Sequence, residues 1–157
     1  MRVVGTMQHS TIDTPDTSAL IGIPFVLRGR DPKQGLDCLG LALHALQLLR
    51  NVQPPDIPAD YGDQWADDDM IGEYLDHFAD QWTQIDPVRT QPGDICTMCF
   101  RHPYADHLGV CIDDTTLVLT TFEKTGSLLM PRTALPISGW YRFEPQSSKR
   151  VSQSGGS

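Results

Sequence analysis

An α+β fold, with N-terminal helices packed on a small antiparallel β-sheet, is what this sequence predicts. Three observations predict it. A stretch of helical length that is apolar on nearly all sides runs from Cys38 to about Arg50. Residues Pro87 to Gly93 form a turn region at which the texture changes. After it come five short segments of strand character, between Asp94 and Phe143. Helices first and an antiparallel meander afterwards is the α+β order.

Taken along the chain, residues 1 to 13 are irregular, with at most a short strand at Arg2 to Val4. Thr14-Pro15-Asp16 offers a capping side chain and a proline at the first helical position, so a short helix ending at Gly22 is expected. Ile23 to Gly29 is extended, and Gly29 to Gly35 is a loop. Asp37 can cap the Cys38–Arg50 helix. Pro54, Pro55 and Pro58 then enforce an extended connection. Met70, Ile71, Tyr74, Leu75, Phe78 and Trp82 recur at helical spacing, which predicts a third helix from about Asp67 to Trp82. The strands expected are Asp94–Phe100, Asp106–Ile112, Thr116–Phe122, Ser127–Met130 and Trp140–Phe143. Residues 1–145 make one domain, and 146–157, rich in Ser, Gln and Gly, make a flexible polar tail.

The totals narrow the function. The chain has 157 residues, 39% hydrophobic and 20% charged, enough for one core without disulfide staples. Its net charge of -8 and the lack of a Lys/Arg cluster exclude nucleic-acid binding by counterion displacement. No apolar run approaches the roughly 20 residues of a membrane span, and Met1 to Ser10 lack the apolar core of a signal peptide. The acidic stretch Asp63 to Asp69 fits a solvated helix start.

Two residues carry chemistry. Cys38 stands in the first turn of the most buried helix, where unpaired N–H groups and the dipole favour an anion. A thiol pKa below the usual value is therefore expected, and with it faster alkylation than at Cys96, Cys99 or Cys111. His107 opens the segment His107-Leu108-Gly109-Val110-Cys111-Ile112. By alternation Leu108, Val110 and Ile112 face the core, while His107, Gly109 and Cys111 share the other face. A histidine beside a residue as small as Gly109 suits a cleft wall, and a cysteine nucleophile needs such a base.

The ordered set of motifs resembles a known family. Gly22-Ile23-Pro24-Phe25, Gly29 and Gly35-Leu36-Asp37-Cys38-Leu39-Gly40-Leu41 resemble the nucleophile segment of NlpC-type cell-wall cysteine peptidases. Gln91-Pro92-Gly93-Asp94-Ile95 is similar to the entry to their first core strand, and His107 to Ile112 to their histidine strand. Gly139-Trp140-Tyr141-Arg142 and the Asp-Cys-Leu-Gly-Leu run resemble the phage-tail branch. The resemblance implies a papain-like fold and cleavage of peptidoglycan stem peptides, typically at a D-glutamyl–diaminopimelate bond. It implies Cys38 as nucleophile, His107 as base, Phe25, Asp37 and Gly109 along the substrate path, and no cofactor. It further implies a place in the virion at the tail tip among other tail-tip proteins, synthesis in the host cytoplasm and action at the bacterial cell wall. The alternative is a structural tail-tip or tail-assembly subunit with a degenerate site.

Two positions depart from the pattern. Phe25 replaces a tyrosine, and Leu119 aligns with the polar third residue that orients the base. A two-residue turn at Asp113-Asp114 would set Thr120 opposite His107 and supply a polar neighbour; a three-residue turn would set Leu119 there. The Thr120 register is the expectation, with Thr120 as third catalytic residue. Cys96-Thr97-Met98-Cys99 has CxxC spacing, but residues three apart on a strand point to opposite faces, so no metal site is expected. His44, inside the apolar helix, is expected to be a satisfied core residue.

Overall fold

The computed structural model describes residues 16–57, 69–113 and 117–145. The expected Arg2–Val4 strand, the Thr14-Pro15 helix start and the polar tail lie outside these residues. Within them the fold is α+β: two helices and an antiparallel sheet of six strands.

Helix α1 (Cys38–Arg50) has the predicted bounds. The Asp37 side chain accepts from the Gly40 N–H at 2.8 Å and so satisfies one of the orphan donors of the first turn. Asn51 ends the helix in the left-handed conformation, φ 56°. The first five residues of α1 are buried all round, whereas Gln47 and Leu48 reach solvent. His44 is half-buried, and its Nε2 lies 2.7 Å from the Arg30 carbonyl. Above the first turn runs a strap, residues 22–36, that includes the two-residue strands β1 (Arg30–Asp31) and β2 (Gly35–Leu36). The strap lies so close that a Cβ on Gly40 would stand 2.2 Å from the Gly29 carbonyl oxygen. Glycine inside this helix, otherwise a cost of about 1 kcal/mol, is what admits the strap.

The expected short helix ending at Gly22 is only a 3₁₀ turn at Ser18–Leu20. Helix α2 (Met70–His77) is shorter than its apolar spacing predicts. Asp69 caps it by accepting from the Gly72 N–H at 3.1 Å. Trp82 belongs instead to a strand, β3 (Trp82–Gln84), paired with Phe143.

The remaining strands are β4 (Ile95–Met98), β5 (His107–Cys111), β6 (Leu117–Phe122), β7 (Gly126–Pro131) and β8 (Ile137–Phe143). Their order in the sheet is β3-β8-β4-β5-β6-β7. The meander therefore holds from β4 to β7, while β8 returns to the far side of β4. The β4 entry is fixed by Asp94, which accepts from the Gln91 N–H and takes a bidentate pair with Arg142 at 2.9 Å. That pair ties the Gln91–Ile95 motif to the closing strand.

Both faces of the sheet carry apolar packing. On one face Ile95, Leu108, Val110 and Leu119 meet α1 and α2 through Leu39, Leu46, Ile71 and Tyr74. On the other, Cys96, Met98, Cys111, Val118 and Trp140 form a second cluster. The Arg132 guanidinium covers it, 4.3 Å above the Trp140 ring. The face expected to be a cleft wall is thus largely a second core.

The β5–β6 register differs from both turns considered. Val110 pairs with Leu119 and Cys111 with Val118. The Ile112 N–H donates to the Leu117 carbonyl at 3.1 Å, so four positions separate this pair, and Asp113 Oδ1 accepts from the Leu117 N–H at 2.8 Å. Carried along the strands, this register sets Gly109 opposite Thr120 and His107 opposite Phe122.

Candidate active site

Cys38 and His107 line one cavity of about 760 Å³. The N-terminus of α1 presents Cys38, and the first residue of β5 presents His107. Apolar groups dominate the rest of the wall, with Phe25, Leu27, Phe100 and Phe122 prominent; Arg101, Asp106, Glu123 and Lys124 bring charge, and His102 brings a second imidazole. Of the residues named from the sequence, Phe25, Asp37, Cys38 and His107 border this space.

Three of the sequence expectations change. Asp37 is 1% exposed, and its carboxylate is committed to structure. It accepts from the Gly40 and Arg28 N–H groups and pairs with Arg30 at 2.7 Å, so it caps and clamps rather than holding substrate. Gly109 is not on the cavity wall but in the second core, where a Cβ would stand 2.5 Å from Val118 Cγ1 and 2.9 Å from Met98 Cε. Thr120 is fully buried and donates to the Leu108 carbonyl at 2.7 Å, so it does not orient His107. The observed register is shifted by two from the expected one, which keeps Thr120 on its face but moves it to Gly109.

Aromatic rings hold the imidazole instead. Phe122 stacks on His107 with centroids 4.9 Å apart and planes 8° from parallel. Phe100 meets it edge-on at 5.4 Å. Leu119 lies on the opposite face, paired with Val110. The His107 Nε2 is buried and meets no hydrogen-bond partner among the described residues. Nothing in the local sequence announced this clamp, because Phe122 reaches His107 only through the strand register.

The electrostatics also reverse an expectation. Burial pushes the Cys38 thiol up to about 12, and the adjacent Asp37 carboxylate acts in the same direction. Hydrogen bonds from the Leu108 and Leu39 backbone and the charge of Arg30 offset only part of this. The magnitudes explain the outcome: a helix terminus supplies at most about 2 kcal/mol, or about 1.5 pKa units, whereas full burial shifts a group by up to about 5. Burial likewise pushes the His107 imidazole below its ordinary value, against the upward pull of the Thr121 backbone, Asp106 and Asp37. Both shifts favour the uncharged forms of the two groups that share the cavity. Such a pair acts by general-base transfer during attack, not from a preformed ion pair.

Cys96 is buried in the second core and Cys99 is partly exposed beyond the end of β4. Among the described residues, no three His, Cys, Asp or Glu side chains are grouped to hold a metal ion.

No protein-family model and no curated protein matches this chain. Solved structures do. The NlpC/p60 domain of the peptidoglycan hydrolase SagA superposes with a TM-score of 0.51 at 14% identity, over 77% of this chain and 87% of that one. A lipoprotein-like member of the NLP/P60 family from Staphylococcus aureus gives a TM-score of 0.52 at 18% identity, over 80% of this chain and 38% of that one. The chain therefore has the NlpC/p60 fold, with its candidate nucleophile at the start of the central helix.

Proposed function

We propose that this chain is a peptidoglycan endopeptidase that cleaves stem peptides at a D-glutamyl–diaminopimelate type of bond, working from a phage tail tip during cell entry. The observation that carries the reading is the convergence of Cys38 and His107 on one cavity within an NlpC/p60 fold. The description of SagA as a peptidoglycan hydrolase supports the substrate. The tail assignment rests on the resemblance of residues 37–41 and 139–142 to the phage-tail branch.

In this mechanism His107 takes the thiol proton as Cys38 Sγ bonds to the scissile carbonyl carbon. The oxyanion forms at the first turn of α1. There the Gly40 N–H is already bonded to Asp37 and the Leu39 backbone to the Cys38 sulfur, which leaves the Cys38 N–H as the donor. Collapse expels the amine, which receives the proton from His107, and leaves a thioester. Water then releases the acid and regenerates the thiol.

Incubation with purified sacculi, followed by mass spectrometry of the soluble products, tests this. The wild type is expected to release stem-peptide fragments cut after D-glutamate, and Cys38→Ala and His107→Ala to release none while unfolding cooperatively. A second reading, a tail-tip subunit with a degenerate site, is favoured by one specific feature: the base has aromatic neighbours where a polar third residue would orient it. A wild-type protein that releases no fragments supports that second reading and contradicts the first.

A further inference from the structure

A second imidazole borders the cavity. His102 lies in the β4–β5 connection, and the whole turn is organised by one carboxylate. Asp106 Oδ1 accepts from the Phe100 N–H at 2.9 Å, and Oδ2 accepts from the Arg101 N–H at 2.7 Å and the His102 N–H at 3.2 Å. The same Oδ2 lies 3.1 Å from His102 Nδ1. Tyr104 stacks on the imidazole with centroids 4.7 Å apart and planes 11° from parallel, which fixes the ring plane as well.

This arrangement sets the tautomer. Burial pushes the Asp106 carboxyl upward, but the hydrogen bonds from Phe100, Arg101 and His102 outweigh it and hold the group below the ordinary carboxylate range. An ionised carboxylate only accepts, so Nδ1 carries the hydrogen and the neutral ring keeps its lone pair on Nε2. His107 has the Thr121 backbone, not a carboxylate, as its hydrogen-bond partner, and its ring neighbours are aromatic. The turn does not need the His102 ring, since the three backbone N–H groups satisfy Asp106 without it. His102 nevertheless borders the Cys38 cavity.

We infer that His102, oriented by Asp106, is a second base of this site and activates the water that hydrolyses the acyl–Cys38 intermediate. The inference rests on the proposed thiol mechanism. After acylation the proton first taken by His107 has left with the amine. Water then attacks the thioester carbonyl; its O–C bond forms as one proton passes to His102 Nε2. The C–S bond breaks, the acid departs, and the Cys38 thiolate recovers that proton. The other charged groups facing this space are Asp37, Arg101, Glu123 and Lys124.

The two bases can be separated with p-nitrophenyl acetate as acyl donor, in a Cys99→Ser background that removes the partly exposed thiol. The parent is expected to give a stoichiometric burst of nitrophenol and then turn over. His102→Gln should keep the burst, lose steady-state turnover by about 100-fold or more, and accumulate acetyl-Cys38 visible by mass spectrometry. His107→Gln should lose the burst itself. A His102→Gln protein that bursts and turns over like the parent overturns this inference alone, and so does one that loses the burst while melting as the parent does. A parent with no burst contradicts the Cys38 mechanism and removes this inference with it.

Discussion

Asp37→Ala is expected to lower the unfolding free energy by about 3 kcal/mol, the low end of the range for breaking a buried ion pair. Three interactions end together. The Gly40 N–H loses its cap, the Arg28 N–H loses its acceptor, and Arg30 loses one of its two carboxylates. The low end applies because Arg30 keeps a two-pronged contact with Asp56, at 2.8 and 2.9 Å, and is not stranded. Asp37→Asn retains an oxygen for Gly40 and should cost much less, about 1 kcal/mol, since asparagine caps as well as aspartate. Urea unfolding of the three proteins decides the matter. Equal midpoints for Asp37→Ala and the wild type would mean that the strap and the nucleophile helix are held by packing alone.

The second large effect is kinetic. The Cys38 thiol is pushed up to about 12, so its thiolate fraction rises tenfold per pH unit throughout the accessible range. Iodoacetamide labelling of Cys38, read by peptide mapping, should accelerate about 1,000-fold between pH 7 and pH 10 without a plateau. At pH 7 the partly exposed Cys99 should label first, ahead of the buried Cys38, Cys96 and Cys111. In Asp37→Asn the curve should move to lower pH, because that carboxylate is one cause of the upward shift. A Cys38 rate that levels off near pH 6 to 7 would reveal a thiolate–imidazolium pair and contradict the neutral dyad.

The legible parts of the sequence were those written locally. Helix α1 could be bounded because its cap, Asp37, and its apolar run are adjacent in the chain. The strands from β4 to β7 could be placed because alternation and turn residues are local signals too. Trp82 misled because it continues the spacing of α2, yet the chain turns out of the helix after His77 and Trp82 pairs with Phe143, 61 residues later. The crossing of β8 to the far side of β4 has no local signature at all.

The site divides the same way. Cys38 and His107 carry their chemistry in their own neighbourhoods, a helix start and a strand start. The third position did not, because it depends on how long one loop is. With four positions between the paired Ile112 and Leu117, the register brings Phe122, not Thr120, to the imidazole. The thiol's protonation state was also hidden: the helix terminus can be read from the sequence, but the burial that outweighs it comes from the tertiary fold, in which β5 brings the Leu108 backbone to the Cys38 sulfur.

The proposed mechanism loads the acyl group on Cys38 Sγ, and the most direct measurement is to catch that atom loaded. Wild-type protein mixed with purified sacculi, quenched in acid during digestion and mapped by mass spectrometry, should carry a stem-peptide fragment as a thioester on the Cys38 peptide, absent from Cys38→Ala. Soluble fragments released by the wild type and by Cys38→Ala alike, with Cys38 unmodified throughout, would contradict it.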